Sequence, residues 1–199
     1  YENDDYTNDL YRAIHKHERA KEAMKHKTDF CSFVYSNGKA LRNRQIIFEK
    51  LSEYKRVNSG GKYLNNIDRS VNNKLEFQLK HKFAIAFENT STLGYTTEKI
   101  VHAFSAATVP IYWGNPLIGR EFNEKAFINC HKLGLTENAD DLIFEKIIEC
   151  IKEIDQNDNL YYEMLSSHAL SEENNIDDQK TKLENFLLNI FSQKKEDAY

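Results

Sequence analysis

One stretch concentrates side chains able to do chemistry, Phe87-Glu-Asn-Thr-Ser-Thr-Leu-Gly-Tyr-Thr-Thr-Glu-Lys-Ile100. It joins an apolar run of strand length, residues 82–87, to an amphipathic segment with Ile100, Val101, Phe104 and Ala107 on one face. Gly94 permits a tight turn just before that segment, and Thr96 or Thr97 can cap its start. Glu98 in the first turn suits the positive end of a helix dipole. Lys99 does not, and should cost about 0.3–1 kcal/mol. A bound anion reverses that sign, because backbone N–H groups plus one ammonium suit a phosphate. Spacing alone does not separate this from a Lys99 that merely points into water.

Other chemistries are excluded by what is missing. The chain has no GxxxxGK[ST] and no GxGxxG, which disfavours a P-loop NTPase and an ordinary NAD-binding fold. It has no HExxH, GxSxG or CxxC. Asp140-Asp141 and Asp177-Asp178 are paired acids at expected helix starts, where solvated caps are the simpler role, and neither forms a DxD-type metal site. Cys31, Cys130 and Cys150 share no ligand spacing, so neither a disulfide framework nor a zinc site organises the fold, and a reducing compartment fits.

The chain has 199 residues, 40% of them hydrophobic and 12% aromatic, enough for one ordinary domain with appendages. A net charge of −4 gives no basic footprint for nucleic acid. No apolar run approaches the ~18 residues of a membrane span, and the acidic start YENDDYTNDL is no signal peptide. The chain starts with Tyr1 rather than Met, which reads as a fragment of something longer.

The elements that must position the loop follow from punctuation and periodicity. All glycines lie between Gly38 and Gly134, and both prolines, Pro110 and Pro116, lie in the same stretch. The flanks are therefore free to form long helices. Residues 5–27 read as one polar helix with Leu10, Ile14, Ala20 and Met24 as its few anchors, a connector or a surface that needs a partner. Strands are expected at 30–35, 57–61, 82–87, 108–113 and 126–129. Helices are expected at 39–54, 73–80, 97–107, 139–155, 158–170 and 178–193. Such alternation predicts an α/β fold, a parallel sheet with helices on both faces, and ligands beyond the carboxyl ends of its strands. Trp113 and Tyr112 are read as core, His102 as a satisfied helix histidine, and His15, His17 and His26 as solvated.

At this point a resemblance enters. Phe87-Glu-Asn, then Gly94-Tyr-Thr-Thr-Glu-Lys-Ile100, then Val109-Pro-Ile-Tyr-Trp-Gly114, then Ala126-Phe-Ile-Asn129 resemble the donor-binding domain of the α-1,3/1,4-fucosyltransferases, glycosyltransferase family 10. The likeness reaches back to Arg44 and Ser59-Gly-Gly61 and covers roughly residues 28–170. It departs at Ala126, where the family often has Ser. It implies the Rossmann-like C-terminal half of a GT-B glycosyltransferase. Residues 1–27 would then be a connector from a missing N-terminal acceptor domain, 28–170 the donor-binding domain, and 171–199 a helical tail.

The resemblance also implies roles. Arg44, Asn89, Tyr95, Glu98 and Lys99 map onto the GDP-fucose site. Arg44 offers a planar fork to the diphosphate, against the plainer reading of an ion pair with Glu49. Lys99 adds a point charge, Tyr95 packs on the ribose, and Glu98 meets fucose hydroxyls or the developing charge on the ring. Asn89 holds the loop or bonds the donor. No metal or other cofactor is required. The reaction would be inverting transfer of L-fucose to an acceptor glycan through an α-1,3 or α-1,4 linkage, with the general base in the missing domain. Glu88 is a tempting base, but it directly ends the central strand. The partners implied are GDP-fucose and, through the missing half, an acceptor oligosaccharide. The compartment implied is bacterial cytoplasm, peripheral to the inner membrane, or the Golgi in a eukaryote. Two other readings stay open: a nucleotide-sugar-binding module without catalysis, and a glycosyltransferase using another GDP-sugar.

Overall fold

A computed structural model describes residues 3–38, 42–174 and 176–192. Five strands, β1 (Asp29–Phe33), β2 (Val57–Ser59), β3 (His81–Phe87), β4 (Val109–Trp113) and β5 (Ile128–Asn129), form one sheet in the order β2-β1-β3-β4-β5. Every pairing is parallel. Parallel strands need crossovers, and helices supply them. These are α3 (Asn43–Tyr54), α4 (Lys74–Leu79) and α5 (Glu98–Ser105), with α6 (Asp141–Gln156) and α7 (Asp158–Ser166) following the sheet.

β3 is central, and its alternation sets the two faces. Phe83, Ile85 and Phe87 join Phe33, Ile47, Leu51, Trp113, Phe144 and Ile151 in the larger core, beneath α3 and α6. Ala86 points the other way, into the core of Ile100, Phe104, Tyr112 and Phe127. A small side chain there lets α5 approach the sheet closely. Trp113 and Tyr112 are fully buried, as core residues; Trp113 Nε1 donates to Leu135 O at 3.1 Å.

Several expectations shift. Residues 5–27 do not form one helix but two, α1 (Asn3–Ile14) and α2 (Lys16–Lys25), broken at His15. Few apolar anchors are needed, because lysines do the anchoring. Lys16 is 1% exposed and donates to Met164 O and Leu165 O near the end of α7. Lys27 reaches Leu79 O and Ala106 O, at the ends of α4 and α5. His17 is not simply solvated: its ring lies 4.0 Å from that of His168. The helix expected at 158–170 stops at Ser166, and Leu170 bridges Phe122 instead. A last helix, α8 (Ile176–Ser192), shows Leu183, Phe186 and Leu188 to solvent. Asp140 caps α6 as expected, accepting from Ile143 N, whereas the side chains of Asp177 and Asp178 lie outside the described residues. No helix among the described residues is long and apolar enough to cross a membrane.

Candidate functional site

The strand order locates the site. β1 leads to β2 on one side, and β3 leads to β4 and β5 on the other. The chain thus diverges between the carboxyl ends of β1 and β3, where open α/β sheets leave a crevice. Glu88 turns to the other side of β3, toward α5 and the end of β4, whereas Asn89, beyond β3, and Tyr35, beyond β1, lie at this gap.

Arg44, on the first turn of α3, fills it. Its guanidinium lies 3.9 Å over the Tyr35 ring. Nη2 donates to Phe87 O at 3.0 Å and to Asn89 Oδ1 at 2.9 Å, and Nη1 reaches Asn37 O at 3.5 Å. The residue is 2% exposed, and its Nε has no partner among the described residues. An ion pair with Glu49 does not form; Glu49 accepts from Gln45 instead. Tyr35 is itself fixed across the strands, its hydroxyl accepting from Phe87 N at 2.8 Å and donating to Ile85 O at 2.9 Å. Burial pushes that phenol well above its ordinary value, so it stays neutral.

Lys99 is not pointing into water. Its Nζ lies 2.9 Å from Glu88 Oε2 and 2.8 Å from Thr97 Oγ1, with the side chain 14% exposed. Glu88 is fully buried and accepts from Thr97 N at 2.9 Å and from Thr97 Oγ1 at 2.7 Å. Thr97 therefore stands at the N-cap of α5 with its hydroxyl spent on Glu88 rather than on capping the helix. Gly114 makes room for this carboxylate: a Cβ there would come 2.4 Å from Glu88 Cγ. Glu88 is thus enclosed and occupied as a clamp, and is closed to an incoming hydroxyl.

Glu98 is 45% exposed on its side chain, with Oε1 3.7 Å from Lys99 Nζ. Burial works to raise its carboxyl, but Lys99, its own backbone N–H and Lys74 together bring it below the usual carboxylate range. Tyr95 is partly buried, and its hydroxyl makes no hydrogen bond among the described residues. The five expected residues thus divide. Arg44 and Asn89 bond each other, Glu98 and Lys99 form the start of α5, and both pairs are tied to the end of β3. Tyr95 sits on the loop between them.

Sequence reading missed the residue that shapes that loop. Asn115 is buried; its Oδ1 accepts from Gly94 N and Leu117 N, both at 3.0 Å. Its Nδ2 donates to Thr96 Oγ1 at 3.0 Å and Glu121 Oε1 at 2.8 Å. The signal was available in Gly114-Asn-Pro116, since a turn asparagine commonly bonds nearby backbone. That it reaches across to Gly94 follows only from the β3–β4 pairing. His131, stacked on Trp113 with ring centroids 5.8 Å apart, bonds Gly114 and steadies the same turn.

Comparison with known proteins finds relatives of this chain. The chain is 38% identical over 146 residues to the alpha-(1,3)-fucosyltransferase FucT of Helicobacter pylori, covering 73% of this chain and 28% of that protein. It is 30% identical over 166 residues to alpha-(1,3)-fucosyltransferase B of Drosophila melanogaster, covering 83% and 32%. The crystal structure of an alpha1,3-fucosyltransferase with GDP-fucose superposes with a TM-score of 0.72 at 31% identity, over 90% of this chain and 54% of that one. The crystal structure of an alpha1,3-fucosyltransferase with GDP gives 0.69 at 29% identity, over 92% and 55%. The chain therefore spans about a third or less of these curated relatives and about half of the solved chains. Residues 24–186 match the model of glycosyltransferase family 10 (fucosyltransferase), C-terminal part, and the chain belongs to that family.

Proposed function

We propose that this domain seats GDP-β-L-fucose at the carboxyl end of β3 for an inverting transfer of L-fucose to a hydroxyl of an acceptor glycan, through an α-1,3 or α-1,4 linkage. The observation that carries the reading is that Arg44 with Asn89 and Lys99 with Glu98 are both tied to the residues that end β3, one pair on each side of that strand's carboxyl end. The solved relatives with GDP-fucose and with GDP agree with it.

The acceptor oxygen forms its bond to the anomeric carbon as the bond to the β-phosphate oxygen breaks, and that electron pair leaves with GDP. Arg44, Lys99 and the start of α5 meet the growing charge without a metal. Arg44 acts mainly through its charge and its remaining N–H donors on Nε and Nη1, both Nη2 donors being bound to carbonyl oxygens. Tyr95 has a hydroxyl to offer the ribose, and Glu98 is an ionised, half-exposed acceptor for fucose hydroxyls. The acceptor proton must go to a base. Glu88 is enclosed, so we place the base outside this chain, and predict that these residues alone give no turnover. We place the reaction in bacterial cytoplasm, peripheral to the inner membrane, or in the Golgi of a eukaryote.

Calorimetric titration with GDP-fucose, GDP-mannose and GDP tests the reading. A preference for GDP-fucose is expected. Equal binding of bare GDP would point to a nucleotide module, a mannose preference to a different GDP-sugar, and robust turnover by this chain would overturn the placement of the base.

A further inference from the structure

The loop between Asn89 and Thr97 has little of its own to hold it in shape. Thr92, Leu93 and Gly94 are exposed, Leu93 to 69%, and a Cβ on Gly94 would meet nothing within 4 Å. Its backbone contributes Tyr95 N to Thr92 O and Thr96 N to Gly94 O, both at 3.1 Å. An exposed segment with so few bonds must be held from outside if it is to keep one shape.

The hold comes from the turn after β4. Asn115 is 1% exposed, and its two ends are told apart by what they meet. One end meets Gly94 N and Leu117 N, which can only donate, so it is the oxygen. The other meets the Glu121 carboxylate and is the amide nitrogen; its second N–H goes to Thr96 Oγ1. Thr96 Oγ1 in turn donates to Glu121 Oε1 at 3.1 Å. Asn115 N is fixed by the buried Tyr112 hydroxyl at 3.0 Å.

The two ends of one amide therefore grip Gly94 and Thr96, the residues on either side of Tyr95. The chemistry is particular to asparagine. Alanine releases both neighbours. Aspartate keeps Gly94 but turns an oxygen on Glu121, and leucine offers neither end. Between the two gripped residues stands Tyr95, whose hydroxyl has no partner among the described residues.

We propose that Asn115 is a positioning residue for the nucleotide: it fixes the Tyr95 hydroxyl by holding both of its neighbours, and acts on the ligand only through Tyr95. The proposal rests on the donor reading above, in which that hydroxyl meets the ribose.

A double-mutant cycle, read by calorimetric titration of this chain with GDP, tests it. Tyr95→Phe should weaken binding about fivefold, the scale of one neutral hydrogen bond. Asn115→Ala should weaken it at least as much. On the Asn115→Ala background the further loss from Tyr95→Phe should fall below about twofold, because the hydroxyl is already out of place. Arg44→Lys should cost the same on both backgrounds, since Arg44 is held from α3 and the end of β3; a residue that merely stiffened the fold would couple to both substitutions. Thr96→Val, at a partly buried position outside the core, removes one arm of the grip and should show the same coupling more weakly; it carries the cycle if Asn115→Ala does not fold. Losses from Tyr95→Phe that are absent or equal on every background, a matching coupling to Arg44→Lys, or GDP affinity unmoved by Asn115→Ala and Thr96→Val would overturn the role of Asn115 and leave the donor reading standing. No GDP binding by the unaltered chain would overturn both.

Discussion

Arg44 and Lys99 grip the same short run at the end of β3, yet they keep opposite company. Lys99 has a carboxylate: Glu88, fully buried, 2.9 Å from its ammonium. Among the described residues Arg44 has only dipoles: the carbonyls of Phe87 and Asn37, the amide oxygen of Asn89 and the face of the Tyr35 ring. The first cation is compensated and the second is not. A compensated cation organises the loop as well as meeting a ligand's charge, whereas an uncompensated one leaves its whole field for an anion. The buried Lys16 and Lys27 show what neutral surroundings do to an ammonium. Both are held by carbonyl oxygens, and burial, with Arg19 adding to it, pushes both down to about 7. A guanidinium in the same kind of cage keeps its proton. This gives a physical reason for arginine at position 44 and lysine at position 99.

The largest expected effect falls on stability at the compensated site. Lys99→Ala leaves the Glu88 carboxylate buried without its cation, and should cost about 3–5 kcal/mol in urea denaturation. Adding Glu88→Gln to Lys99→Met should recover part of that loss. A loss below about 1 kcal/mol, the scale of an exposed pair, would erase the contrast with Arg44. Next comes the uncompensated site. Arg44→Lys should weaken GDP binding by about 1–3 kcal/mol, the scale of charge-assisted hydrogen bonds. Because a lysine in this cage gives up its proton, the deficit should widen between pH 6 and pH 9 in calorimetry. A deficit independent of pH would mean that geometry rather than charge is what arginine supplies. Asn89→Ala should have a smaller effect, about 1 kcal/mol on GDP binding, through loss of the acceptor that orients Arg44.

Much of this was written in the chain. β3 was legible because residues 82–87 form a near-continuous apolar run of strand length, the pattern of a strand covered on both faces, and the strand observed is His81–Phe87. α5 was legible from its apolar stripe, and Gly94, with φ of 73°, from the turn it had to make. The site residues were named from motif likeness, while their partners were hidden. Glu88 lies eleven positions from Lys99, and Arg44 forty-five from Asn89. Those distances close only when the sheet is assembled. Periodicity also misread residues 5–27, because it counts apolar anchors. Lys16 and Lys27 anchor by donating to carbonyl oxygens at helix ends, a contact that leaves no hydrophobic pattern.

The smallest effect tests the premise on which the comparison rests. In the unfolded chain Lys16 and Lys27 hold their protons up to about 10.5; in the fold they give them up near 7. Between those values the unfolded state binds more protons, so stability must rise with pH. Each fully discharged lysine could add no more than about 1.4 kcal/mol per pH unit. Hydrogen bonds from the ammoniums to carbonyl oxygens oppose this, so the net expectation is a rise of about 1 kcal/mol from pH 7 to pH 9. Urea denaturation across that range measures it, and Lys16→Met should flatten the slope. If stability instead stays level or falls, these lysines keep their charge among carbonyl oxygens. Neutral surroundings would then be no obstacle to an ammonium, and the case for arginine at position 44 would rest on its planar fork alone.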